Sequence, residues 1–393
     1  MKIITFISFV LLIILSTNYN FAQWLPTGLT TGSVTHIASN STAIIAHNSG
    51  LKYSTDGGIN WQSMNYNSTM ALTANEEAVY VSGASQPHVS KTTDMGISWT
   101  QYWVSAADGI FSLHTSGNNV YAGTIHYGVR RSKDNGNSWG VVSFPFGTVN
   151  SIFAIGSNVY TALEDWGLSV STNNGGNWSS LYLSQEFVNT IHSNGSHVFA
   201  GTKTGGIFIS SDNGSSWIQS SLNNINVTAI TSTGNNIFVG STNSGVYFSG
   251  NNGTSWQQVN TGLTNQNIRA LHVYNQIIYA GTSGAGLWKR DITEIVGIET
   301  ISTEIPKGFS LMQNYPNPFN PNTIINFSLP KSSNVKITVY NSAGKEISTL
   351  VNMQMNAGVY KAEFNAAKSP SGIYFCKMTA GDFSSVIKMV LLK

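Results

Sequence analysis

Four acids fall where the regular pattern of the chain is interrupted: Asp108, Glu164, Asp165 and Glu186. A pair of carboxylates is the minimum equipment for glycoside hydrolysis, and the separation of the pair sets the stereochemical outcome. Aromatic residues crowd the same stretches: Tyr102, Trp103, Phe146, Trp166 and Tyr182, with His126 and Tyr127 between them. Flat aromatic faces stack on sugar rings, and carboxylates accept from sugar hydroxyls. Trp103, His126, Tyr127, Glu164, Asp165 and Trp166 are therefore candidate ligand-binding residues. Asp108, Glu164, Asp165 and Glu186 are the candidate acids for catalysis. The competing reading is that these aromatics pack between neighbouring elements and the acids are simply solvated.

Other chemistries find less material. His114, His192 and His272 recur at one repeat position, but in alternating units, too far apart for one ion; no metal site is expected. Cys376 is the single cysteine, so no intrachain disulfide forms, and it reads as a small buried apolar residue. No phosphate-cradling loop or nucleophile elbow is present, and no cofactor is expected. Only 9% of residues are charged. No basic stripe exists to neutralise phosphates, which argues against nucleic acid as a partner.

The elements that must position these residues come from a repeat. A hydroxyl residue, an Asp or Asn, a Gly and a Trp recur six times: Asp56–Trp61, Asp94–Trp99, Asp134–Trp139, Asn173–Trp178, Asp212–Trp217 and Asn251–Trp256. In the fifth copy Gly214 reads as shifted. Successive Trp spacings are 38, 40, 39, 39 and 39 residues, the mark of a repeat architecture. Each unit reads as four short strands with Gly/Asn turns, as in Val227-Thr-Ala-Ile, Ile237-Phe-Val-Gly, Val246-Tyr-Phe-Ser and Trp256-Gln-Gln-Val. The Asp or Asn holds a tight turn, the Gly takes a conformation costly for other residues, and the Trp buries a large ring.

This spacing resembles the Asp-box (BNR-type) repeat of β-propellers, found in sialidases, sortilin-like receptors and photosystem assembly factors. After Trp256 three more strands follow without a boxed Trp, while Trp24-Leu-Pro-Thr-Gly-Leu-Thr echoes Trp256-Gln-Gln-Val-Asn-Thr-Gly-Leu-Thr. The N-terminal strand therefore completes the last blade, giving an all-β, seven-bladed propeller over residues 23–291, closed without exposed edges. Box turns and first-to-second turns share one face, so the box acids are structural, and Glu76 and Glu77 are merely solvated. The second-to-third turns and the links form the other face, where the acidic and aromatic candidates fall over blades three to five. The sialidase family holds its substrate carboxylate with three arginines, whereas this stretch has only Arg130, Arg131, Arg269 and Arg290 and lacks the Arg-Ile-Pro phrase. Box-bearing xyloglucanases place their cleft between two propellers; one is expected here.

The two ends carry addresses. Residues 1–22 read as a Sec-type signal peptide, with one Lys and an apolar run from Ile3 to Leu15 too short for a membrane span. No transmembrane segment is expected in the mature protein. Residues 292–308 read as a linker. From Phe309 the composition changes, and β-runs at Ile324–Leu329, Val335–Tyr340, Val359–Phe364, Gly372–Met378 and Val386–Leu392 suggest a small antiparallel β-sandwich. Residues 309–393 resemble the type A C-terminal sorting domain of the type IX secretion system. The motif Asn314-Tyr315-Pro316-Asn317-Pro318 carries the resemblance, with Gly358-Val-Tyr360, Gly372-Ile-Tyr374 and the ending Lys388-Met-Val-Leu-Leu-Lys393. It implies recognition by that machinery in a Gram-negative bacterium, through the periplasm to the outside or the cell surface. Charge divides likewise: residues 301–393 hold nine Lys against four acids, and residues 23–300 hold nine basic residues against thirteen acids. The leading expectation is a secreted binding module for a glycan, polymer or protein. The rivals are a glycoside hydrolase or lyase using the acids of blades three to five, and an envelope assembly scaffold.

Overall fold

The computed structural model describes residues 23–83, 87–104, 109–142, 147–164, 167–179, 182–302 and 304–393. Among these, Asp108, Phe146, Asp165, Trp166 and the segment 1–22 do not appear, so the expectations placed on them lie outside the described residues.

The chain is a β-propeller followed by a β-sandwich. Seven antiparallel sheets follow in chain order, six of them four-stranded among the described residues. The innermost strands are His36–Ser39, Ala71–Ala74, Ile110–Ser116, Val149–Ile155, Val188–Ser193, Val227–Thr233 and Ile268–Tyr274. Each packs on the next, and the last packs on the first, closing a ring. The three-stranded sheet continues outward where Ser179 N donates to Val170 O at 2.8 Å and Leu168 bridges Tyr182. Burial follows radius. The second strand Val198–Thr202 is buried throughout, while the outer strand Gln257–Gln258 is exposed. Short apolar runs of Val, Ile, Phe and Ala suit strands covered on both faces.

The N-terminal strand closes the last sheet. Leu25 pairs with Lys289 and Pro26 with Trp288. Trp24, 1% exposed, anchors this seam, its indole N–H donating to Val259 O at 2.6 Å. A two-residue strand holds its place because one large ring is driven into the core beside it.

Five innermost strands carry the same register shift: between Ile110/Ser112, Val149/Ser151, Val188/Thr190, Val227/Ala229 and Ile268/Ala270. A bulge adds one residue and re-aims its side chain. The extra residues are Phe111, Asn150, Asn189, Thr228 and Arg269, each near the entry of its strand.

The segment 292–308, expected as a linker, is partly built into regular structure. Asp291 caps a short helix, Ile292–Val296, and Gly297 ends it in the left-handed region. Ile298–Ser302 then pairs with Gly358–Asn365 and becomes an edge of the sandwich. The sandwich therefore begins before the composition change at Phe309. The sandwich sheets run in the orders 298–302, 358–365, 322–329, 310–311 and 346–355, 333–341, 372–380, 383–391. Glu346–Met355, not foreseen as a strand, pairs with Ser333–Asn341 through two register shifts that break its alternation. The sandwich core, with Phe327, Tyr360, Tyr374 and Met389, is continuous with Trp288, Ile292 and Ile295 at the ring's edge. The side chain of Gln276 further ties the ring to Gln354 O at 3.1 Å and Asn356 N at 3.2 Å.

Candidate functional site

The six boxes fold alike. In the third, the Ser132 hydroxyl donates to Asp134 at 2.7 Å and accepts from Gly136 N at 2.8 Å. Asp134 then accepts from Ser138 N at 2.9 Å and Ser138 Oγ at 2.6 Å. The residue before the Gly is left-handed in every copy: Gly57, Met95, Asn135, Asn174, Asn213 and Asn252. Gly, and to a lesser degree Asn, tolerates that conformation, which explains the Asn-rich phrase. Gly136, at φ 82, must also lack a side chain, since a Cβ would sit 2.7 Å from the Tyr80 ring of the preceding sheet. Gly214, expected to be shifted, is in register: its N–H donates to Ser210 Oγ at 2.7 Å, as Gly136 does to Ser132.

These bonds fix the acids chemically. The serines at 98, 138 and 216 hold Asp94, Asp134 and Asp212 near pKa 2, below the usual carboxylate range. Asp56 is lowered as well, first by the backbone N–H of Asn60. Carboxylates already saturated with donors make poor acids and bases near neutral pH. The Trp side chains complete the clamps, as where Trp139 and Trp217 donate to Gly136 O and Gly214 O. Trp99 and Trp256 instead reach the neighbouring sheet, at Met64 O and Ser220 Oγ. Trp61 bonds Gly58 O, and Trp178 packs on the core of its neighbours.

The box also grips the turn of the sheet before it. Tyr80 and Asn75 both donate to the Asn135 side chain, at 2.9 and 2.7 Å. Glu77, expected to be merely solvated, accepts from Asn135 Nδ2. The fifth and sixth sheets repeat the link through Asn194 and Asn252 at 2.8 Å.

The opposite face is open. Trp103, at the end of an outer strand, is 72% exposed and meets His88 edge-on at 6.1 Å. His126 and Tyr127 stand exposed in the second-to-third turn of the third sheet, with Gly147 N bonded to His126 O. Glu164 is exposed, and Glu186 is half-buried against Gly205 of its own sheet's turn.

A cavity of about 550 Å³ occupies the ring's centre, lined by the innermost strands of all seven sheets. His114, His192 and His272 project into it, and each spans a joint between sheets. His114 Nε2 meets Ala154 O at 3.1 Å, His192 Nε2 meets Ser232 Oγ at 2.7 Å, and His272 Nε2 meets Ser39 Oγ at 2.8 Å. Phe153 fills the gap between His114 and His192, at 4.4 and 4.7 Å. Burial lowers all three imidazoles, to about 4, 3 and 4 in that order. They are neutral braces at pH 7.

The tail motif is a strap along the last strand. Asn314 is buried and donates to Thr323 Oγ1 at 2.9 Å and Pro316 O at 3.0 Å. Asn317 imitates a strand, accepting from Val390 N at 2.9 Å and donating to Lys388 O at 3.2 Å. Both Tyr315–Pro316 and Asn317–Pro318 are cis. Of the motif's residues Tyr315 stands out, 81% exposed. Cys376 is buried, and burial pushes its thiol up to about 12.

Comparison with known proteins agrees with this division. Residues 313–392 match the family described as "Secretion system C-terminal sorting domain". No curated protein matches the chain. Among solved structures, YCF48 bound to D1 peptide superposes with a TM-score of 0.55 at 15% identity, covering 70% of this chain and 96% of that one. The WD40 β-propeller domain of Doa1 gives 0.57 at 13%, covering 70% and 97%. The GH74 xyloglucanase from Xanthomonas campestris gives 0.56 at 11%, covering 94% and 68%. These likenesses establish the propeller fold. The sorting tail makes the chain a protein exported by the type IX system to the surface or surroundings of a Gram-negative bacterium, and among the described residues no helix is long and apolar enough to cross a membrane.

Proposed function

We propose that the chain is an Asp-box, seven-bladed propeller that serves as a non-catalytic binding module at the cell surface, taking a glycan, polymer or protein on its loop face. Residues 1–22 act as its signal peptide, residues 23–291 as cargo, and residues from 309 onward as the address read by the secretion machinery. One observation carries the binding reading: Trp103, His126 and Tyr127 are large side chains left exposed on the face whose turns vary from sheet to sheet. Exposed aromatic groups on irregular loops of a rigid scaffold are the usual equipment of recognition. The box acids are withdrawn from chemistry by their own hydrogen bonds, which leaves catalysis no support from the repeat itself.

A glycan-array screen of the mature chain tests this reading. Binding that falls at least tenfold in Trp103→Ala supports it. Binding indifferent to Trp103→Ala and Tyr127→Ala, or no binding to glycan or surface extract, overturns it. Deleting residues 309–393 is expected to hold the propeller in the periplasm, as fractionation would show.

A further inference from the structure

The central cavity contains positive charge and no negative charge to answer it. Among the described residues no Asp or Glu lines it, and the imidazoles that project into it are neutral. The permanent charge on its lining is Arg269, the bulge residue of the seventh sheet. A bulge at the mouth of a site re-aims a side chain, and here it delivers a guanidinium to the cavity wall. The other three arginines of the ring are tied down. Arg130 bonds Tyr127 O at 2.9 Å, Arg131 bonds Asn119 and Asn174 O, and Arg290 is buried against Val259 O. Arg269 is exposed, and no carboxylate among the described residues pairs with it.

The bulge residues of the two preceding sheets behave differently. Asn189 and Thr228 both bond across to the next sheet, at Val227 O and Ile268 O. Arg269 occupies the same place in its own sheet without such a bond among the described residues, so its donors remain available. His36, from the first sheet, also lines the cavity, its Nδ1 bonded to Thr35 Oγ1 at 3.0 Å. Arg269 lies near enough to His36 to help lower its pKa, after burial and His47.

We propose that the mouth of the central cavity binds an organic carboxylate through Arg269, with the His36 ring beside it. A guanidinium offers two parallel N–H groups that match a carboxylate. The charge sits against low-dielectric walls, which strengthens its attraction for an anion. The volume of about 550 Å³ exceeds what an inorganic ion fills and suits a ligand the size of a sugar acid. Ile37, Ile152, Phe153 and Leu271 offer apolar wall for its body. This site is separate from the aromatic face and does not depend on it.

Titration calorimetry of the mature chain with sodium glucuronate, glucose and phosphate tests the site. Glucuronate is expected to bind saturably, with glucose silent and phosphate weaker. Arg269→Gln should cost at least tenfold in affinity with an unchanged melting temperature, Arg269→Lys should recover part of it, and Trp103→Ala should leave it intact. In proton NMR, glucuronate should move the His36 ring signals and leave those of exposed His197 in place. No saturable binding of glucuronate overturns the proposal. So does equal binding of glucose, phosphate binding as tight as glucuronate, or full affinity in Arg269→Gln.

Discussion

Asp134 and Glu164 are both exposed carboxylates on the same ring, one on each face. The oxygens of Asp134 are occupied by Ser132, Ser138 and the Ser138 amide, while among the described residues no hydrogen bond claims the Glu164 side chain. The difference extends to the whole of each face. On the box side, polar groups recur and satisfy one another, sheet gripping sheet. On the loop side, side chains vary and point outward. Recurrence in every sheet selects for what every sheet needs, which is closure. Recognition of one ligand needs a feature that is not repeated. Between the faces the channel mixes both habits, with braces of imidazole that recur and one arginine that does not.

The largest effect we expect comes from acid, and it separates the channel from the boxes. His36, His114, His192 and His272 have folded-state pKa values of about 4, 4, 3 and 4, below the 6.5 of an unfolded histidine. Between pH 6.5 and 4 the unfolded chain therefore binds more protons than the folded one, and stability falls as pH falls. Each tenfold difference in proton affinity between the folded and unfolded chain is worth about 1.4 kcal/mol, so four such groups should together cost several kcal/mol. The box aspartates, held near 2 against 3.8, begin to cost stability only below pH 3.8. A melting temperature flat from about pH 7 to about 4.5 would remove the channel braces from this account. Replacing His192 by Asn should flatten part of the slope.

Next in size is the seam. Trp24→Ala removes a ring 1% exposed and its bond to Val259 O. A cost of about 3–5 kcal/mol is expected from the cavity left behind. Denaturant unfolding would read it, and a loss below about 1 kcal/mol would mean that the two-residue strand Leu25–Pro26 closes the ring unaided.

A single box comes third. Ser132→Ala leaves the buried Gly136 N–H without its acceptor, at a cost of about 1–3 kcal/mol. Ser138→Ala, at an exposed position, should cost less than half as much. Equal losses would place the clamp in the exposed acid instead of the buried hydroxyl.

The parts legible in the sequence are those that repeat. The Trp spacing carries the period, and the echo of Trp256 at Trp24 carries the closure. Gly214 stands two residues after Asp212 and three before Trp217, as Gly136 does in its own copy, so the sequence itself already holds the register that the structure shows. Glu77 looks solvated because its partner, Asn135, is 58 residues away on another sheet. Glu346–Met355 escapes recognition because its bulges interrupt the alternation by which a strand is known. The channel histidines are visible as a recurrence, but their partners Ala154, Ser232 and Ser39 depend on how sheets meet around the ring. Arg269 is visible only as one of few arginines, because its register shift exists only once strands pair.

The smallest effect on stability should fall where the effect on recognition is greatest. Trp103 is 72% exposed, and its ring meets His88 only at its edge. Trp103→Ala gives up little buried area, so stability should move by no more than about 0.5 kcal/mol, the range of ordinary surface changes. Binding on the loop face should fall at least tenfold in the same variant. A protein that loses stability with Trp103 but keeps its ligand would make this indole a packing element, and the loop face would then resemble the box face after all. A protein that loses its ligand at unchanged stability sharpens the division, because the same residue type inside a box, at Trp139, donates to Gly136 O and serves the ring.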